Sequence, residues 1–209
     1  MASTWQKLAY VTNGSSTSTT MLDTANDSSF SGDDFAEKKH LKILIQIRNS
    51  SSGNNLTGRF GNSSGINTST YNWLYNSNGG QDAVGSHSNY ARVGGHSSSS
   101  DGLYSIEIPA NINGEDKLCI SHWMQGYTSG ANRVEVCFRS SISAPITRMQ
   151  VSLEFASSNI GAYSSITVLG ADDAPTTPVY PNLVNGTIFE ESDTGKHYMF
   201  DGTSTWNEM

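Results

Sequence analysis

The chain has 209 residues, of which 35% are apolar and only 15% charged, a length that suits one large β domain or one domain with an appendage. Its formal charge of −7, with Lys and Arg scattered along the chain, argues against a nucleic-acid or anionic-membrane surface. No apolar run reaches the roughly 18 residues of a membrane helix. The opening MASTWQKLAYV lacks the basic-then-apolar order of a secretory leader, so neither a leader nor membrane insertion is expected.

From the amino end, DDFAEKKH (Asp33–His40) can form one helical turn leading into a strand. That strand is HLKILIQIRN, where Leu41, Ile43, Ile45 and Ile47 alternate with Lys42, Gln46 and Arg48. Alternation with a period of two marks a half-buried β-strand. Residues Asn49–Gly102 break the rhythm. This Gly-, Ser- and Asn-rich stretch is expected to be a long connection with strand fragments only near Thr57–Phe60 and Tyr71–Tyr75. Structureless stretches of that length are usually functional or partly disordered.

Beyond it the alternation returns. LYSIEIP, DKLCISHWM, NRVEVCFRS, TRMQVSLEF and YSSITVLG each set one face toward a core and the other toward water. Such strands, spaced by Gly, Asn and Ser, predict an all-β fold: an antiparallel, jelly-roll-like β-sandwich over residues 1–170. Residues 171–186 hold three of the five prolines and read as an extended linker, because Pro fixes φ and donates no hydrogen bond.

Residues 187–209 then form a small β-meander with strands at Thr187–Glu191, Lys196–Asp201 and Thr205–Glu208. Its rings and aliphatic groups exceed what three short strands can hide. At about 25 cal/mol per Å2, leaving them in water forfeits several kcal/mol. Ile188, Phe189, Tyr198, Phe200 and Trp206 are therefore expected in contacts between subunits, with folding back onto the same chain as the alternative.

Signs of chemistry are few. Gly61-Asn-Ser-Ser-Gly65 matches the G-x-S-x-G elbow, but nothing after it can open a helix. His87 and His96 share a loop without a Cys, Asp or Glu at ligand spacing. His122 reads as a core or sheet-face histidine. Glu107, Glu135 and Glu154 alternate with apolar neighbours and read as a solvated face rather than a glycosidase pair. Asp33-Asp34 and Asp172-Asp173 lack the spacing of a calcium loop. Cys119 and Cys137 read as buried free thiols. Catalytic residues, metal and cofactor are all expected to be none. One cluster could recognise a partner: Tyr71, Trp73, Tyr75, Asn76, Asn78, Tyr90 and Arg92 gather rings, amides and a guanidinium. They suit an ordinary core strand first, a subunit interface second and a sugar third.

The closing stretch has the form G-T-x-x-x-E-x-D-T-G-K-x-Y-x-x-D-G-x-x-x-W, carried by Thr187, Glu191, Asp193, Thr194, Gly195, Lys196, Tyr198, Asp201, Gly202 and Trp206. It resembles a short module at the end of many tailed-bacteriophage and environmental viral structural proteins. The opening TWQKLAYVT, with AEKKHLKILIQIRNSSSGNNLTGRFGN and YNWLYNSNGG, is also similar to phage virion proteins. There a K-K/H-L-K-I strand precedes an R-F-N-x-x-x-G-x-N-Y stretch, altered here at Arg59-Phe60-Gly61-Asn62. The resemblance implies a non-enzymatic β-sandwich subunit made in the host cytoplasm and displayed on the virion. It would be a capsid decoration or a tail- or neck-associated knob, assembling as a homo-oligomer, most simply a trimer, and touching other virion proteins. A host-glycan-binding module on the virion is the alternative, with Tyr71, Trp73, Tyr75, Asn78, Tyr90 and Arg92 on the host surface glycan.

Overall fold

The structure is a computed structural model that describes residues 5–14, 21–26, 35–48, 54–62, 64–66, 70–87, 89–96, 101–127, 130–154, 159–173, 185–191, 194–202 and 205–209. The chain divides into two compact units, Met1–Ala174 and Pro175–Met209. In the first unit the strands are β1 (Gln6–Thr12), β2 (Met21–Asp23), β3 (Lys38–Ile47), β4 (Asn54–Asn62), β5 (Gly65–Ile66), β6 (Tyr71–Ser77) and β7 (Ala83–His87). They continue as β8 (Ala91–His96), β9 (Gly102–Ile108), β10 (Lys117–Tyr127), β11 (Gly130–Ser140), β12 (Arg148–Leu153) and β13 (Ser165–Asp173).

These strands make an all-β antiparallel sandwich. An eight-stranded sheet runs β1-β13-β3-β9-β10-β11-β6-β7, and a smaller one runs β2-β12-β4-β5 with β8 also paired to β4. Neighbours far apart in sequence, such as β1 with β13 and β2 with β12, give it the jelly-roll character. The expected alternation positions the core. Leu41, Ile43, Ile45 and Ile47 meet Tyr104, Ile106, Ile108, Val134, Val136 and Phe138 from the same sheet and Leu56, Phe60, Met149, Val151 and Leu153 from the other.

Two expectations are corrected here. Residues 49–102 are not mostly connection: β4, β5, β6, β7 and β8 all lie within them. The strands of the smaller sheet were hidden by their glycines, which admit large side chains from elsewhere. A Cβ on Gly58 would come 2.8 Å from Val93 Cγ2, and one on Gly94 would lie 2.7 Å from Trp123 Nε1. The last strand also runs past residue 170, since Ala171 pairs with His40 and Asp173 with Lys38. The remainder of the expected linker, 174–184, lies outside the described residues, as do Asp33 and Asp34.

Buried polar groups brace the sandwich. Asp23 takes hydrogen bonds from the Ala25 N–H (3.0 Å), from Arg148 Nε (2.8 Å) and from Gln150 Nε2 (2.6 Å). Burial alone would raise its carboxyl, but the bonds from Arg148, Gln150 and Ala25 outweigh it and hold the group below the usual range. Asn111 donates to the Phe35 and Ile146 carbonyls and accepts from the Ile146 N–H. Lys117, wholly buried, donates to the carbonyls of Ile112 (2.6 Å), Glu115 and Ser143 (3.4 Å). Burial lowers its pKa.

The closing unit is a three-stranded sheet of β14 (Ile188–Glu191), β15 (Lys196–Phe200) and β16 (Trp206–Glu208). Register places Phe189, Tyr198, Phe200 and Trp206 on one face, and Ile188, Met199 and Asn207 on the other. Phe189 and Phe200 both pack on Trp206, at 6.0 and 5.2 Å between centroids.

Candidate functional site

Of the candidate binding residues, the structure brings four together. β6 and β7 edge the larger sheet, and the segment of Tyr90 with β8 edges the smaller one. Trp73, half-buried, stacks on Tyr90 (6.5 Å, 18°), and Tyr90 stacks in turn on His87 (3.8 Å, 20°). Gly85, directly across from Trp73, lets the indole lie against its backbone, where a Cβ would come 2.6 Å from Nε1. The Arg92 guanidinium sits 4.2 Å above the Tyr75 ring, a cation–π contact. Tyr90 donates to Glu154 at 2.9 Å, whose other oxygen accepts from Asn55 at 2.6 Å. Burial and that carboxylate push the Tyr90 phenol up to about 12.

The other two stand apart. Tyr71 is a core residue, 0% exposed, whose hydroxyl accepts from the Phe60 N–H at 3.0 Å; a ligand cannot reach it. Asn78 adopts φ 52° on the turn between β6 and β7, exchanging hydrogen bonds with the Arg133 backbone. Asn76 braces the same turn through Gly79, Gly80 and Asp82. The rings that remain occupy one another's faces, so the expected platform is largely closed by its own members.

A second surface, unmarked in the sequence reading, is larger. The outer face of the eight-stranded sheet exposes Leu44, Leu74, Val84, Leu103, Leu118, Ile120 and Met124, with Val84 at 82%. Ile120 stands across from Cys137, Cys137 from Leu74, and Leu74 from Val84, so these four make one unbroken row. Met124 stands across from Leu103. Between the two apolar halves runs the His122–Glu135 pair at 3.4 Å. The face holds two open grooves of about 830 and 770 Å3, one around Leu74, Val84, Leu118, Ile120 and Cys137, the other around Leu44, Leu103 and Met124. Patches of several hundred Å2 of apolar surface mark interaction sites more often than chance exposure.

This face also corrects the expectation that both cysteines are buried. Cys119 is buried, but Cys137 is exposed; it shares the outward parity of Glu135 and Arg139. His122 lies on the outer face, and so do the Leu118, Ile120 and Met124 that alternate with it. β10 is apolar on both faces, and its register against Tyr104, Ile106, Val134 and Val136 turns Cys119, Ser121 and Trp123 inward.

Ser105, His122 and Glu135 follow one another across β9, β10 and β11, the residue types of a hydrolytic triad. Among the described residues no hydrogen bond joins Ser105 to His122, and the neighbouring N–H groups belong to the sheet ladders. An activated serine and an oxyanion hole are both lacking at that row. Glu107 pairs with Lys42 at 2.9 Å. His87 accepts from the Asn89 N–H, and the His96 side chain lies outside the described residues. No group of three or more His, Cys, Asp or Glu among the described residues could hold a metal ion. No described helix is long and apolar enough to cross a membrane.

In the closing unit Ile188 and Phe189 are exposed, Tyr198 and Trp206 are half-buried, and Phe200 is buried. Phe200 is therefore not available for a contact, whereas Met199 is exposed and pairs with Ile188.

No family model, curated protein or solved structure matches this chain.

Proposed function

We propose that the chain is a non-enzymatic structural subunit of a bacteriophage virion, a capsid decoration or a tail- or neck-associated knob that assembles as a homo-oligomer, most simply a trimer. The observation that carries the assembly reading is the outer face of the larger sheet, where Leu74, Val84, Leu103, Leu118, Ile120 and Met124 meet solvent in two grooves. Aliphatic side chains in shallow grooves suit a protein partner; a sugar would be held by rings and amides. The virion setting is supported by the likeness of the closing motif, from Thr187 to Trp206, to the end module of viral structural proteins. The exposed Ile188, Phe189 and Met199 of the closing unit add to the surface that wants a partner.

Glycan binding is the second reading, favoured by the gathering of Trp73, Tyr75, Tyr90 and Arg92 at one edge of the sandwich. It ranks below assembly because those rings already cover one another. Light scattering on the full chain tests the first reading, with a mass above one chain expected. A glycan array with Trp73→Ala as control tests the second; signal from the parent chain that disappears in the variant would reverse the ranking.

A further inference from the structure

We infer that the outer face of the eight-stranded sheet is the seat for the closing unit of a second copy of this chain, an inference that rests on the assembly reading above. Three observations point the same way. The first is apolar exposure: seven aliphatic side chains stand exposed on one sheet face, in two groups on either side of the His122–Glu135 pair. The second is charge. Neither groove is lined by a carboxylate, while Arg139 and Arg133 each line one and His122 joins the second. Arg133 has no carboxylate within ion-pair distance among the described residues.

The third observation is the complement carried elsewhere in the chain. Residues 175–209 hold Glu190, Glu191, Asp193, Asp201 and Glu208 against Lys196 alone, a formal charge of −4. On one face of that small sheet Ile188 pairs directly with Met199, both exposed, and Glu190 stands next in the ladder opposite His197. An aliphatic pair flanked by an acid matches an aliphatic groove flanked by an arginine. On the large face Lys42 is already paired with Glu107, Arg139 with Asp116 and His122 with Glu135, which leaves Arg133 as the cation placed to meet an acid of the closing unit. Contact of unlike surfaces between copies is heterologous, and such contacts close into rings when the rotation allows.

The test uses the thiol already on the face. Cys137 is exposed and Cys119 is buried, so mild copper-phenanthroline oxidation of full-length I188C should join Cys137 of one copy to position 188 of the next. Non-reducing gels and peptide mass mapping should show that linkage between chains and its loss in I188C/C137S. In parallel, light scattering and sedimentation should show association weakened at least tenfold by I120D on the face and by M199D on the closing unit. Circular dichroism checks that both variants keep their strands. A bridge within one chain, a Cys137–Cys137 bridge, or no bridge overturns the inference, as does an oligomer indifferent to both substitutions. A parent chain that is monomeric throughout removes the assembly reading itself, which separates the two failures.

Discussion

Gly94 of β8 and Trp123 of β10 pack against each other across the two sheets, so closely that a Cβ at position 94 would lie 2.7 and 2.8 Å from Nε1 and Cγ of the indole. The ring has nowhere to withdraw, being 5% exposed and stacked on Tyr104 at 5.8 Å. Gly94→Ala is expected to destabilise the sandwich by about 2 kcal/mol, the usual cost of overpacking a closed core. Urea unfolding followed by Trp fluorescence measures it; an unchanged midpoint would mean the indole can shift.

Acid should loosen the same unit through Asp23. Its folded pKa is depressed, so its contribution is complete above the unfolded value of about 3.9 and is lost as pH falls through the lower folded value. Asp23→Ala strands a guanidinium and an amide, and is expected to cost about 3 kcal/mol at neutral pH. The difference between parent and variant should shrink below about pH 4, as read from melting temperatures across a pH series.

Lys117 offers a third test. Its ammonium ties the carbonyls of Ile112, Glu115 and Ser143 together. Lys117→Met keeps the stem and leaves those acceptors bare, for an expected loss of about 2 kcal/mol. Hydrogen exchange should rise first around residues 112–115 and 143, and a uniform rise would contradict a local brace.

Tyr90 reports on the aromatic edge. Burial first, then the bond and charge of Glu154, raise its phenol to about 12. Its contribution is therefore intact below the ordinary value of about 10 and fades as pH climbs through about 12. Glu154→Gln should bring the Tyr90 titration back toward the ordinary value, visible by NMR of ring-labelled tyrosine.

The residues explain which parts of this architecture are legible from sequence. β3, β11 and β12 alternate cleanly, because each has one water face and one core face, and the antiparallel sandwich follows from them. β8 is hard to read: Ala91 and Val93 are its apolar core residues, and Gly94 and Gly95 break the alternation after them, since Trp123 supplies the volume there from the opposite sheet. β10 misleads in another way. Leu118, Ile120 and Met124 are as apolar as Cys119, Ser121 and Trp123, and only pairing with β9 and β11 decides which set faces out. The exposed face is invisible for that reason, whereas Cys137 could have been placed outward from the parity of Val136 and Phe138. Of the recognition cluster, sequence groups residues that are near in number. Packing then sends Tyr71 inward and leaves Asn78 on a turn.

The most direct measurement of the central claim is the solution mass of the full chain by sedimentation equilibrium at near-physiological salt. A stable assembly near three times the 22.5 kDa chain mass, reduced to single chains by I120D, is the expected result. A parent protein that stays at 22.5 kDa at every concentration reached would contradict it.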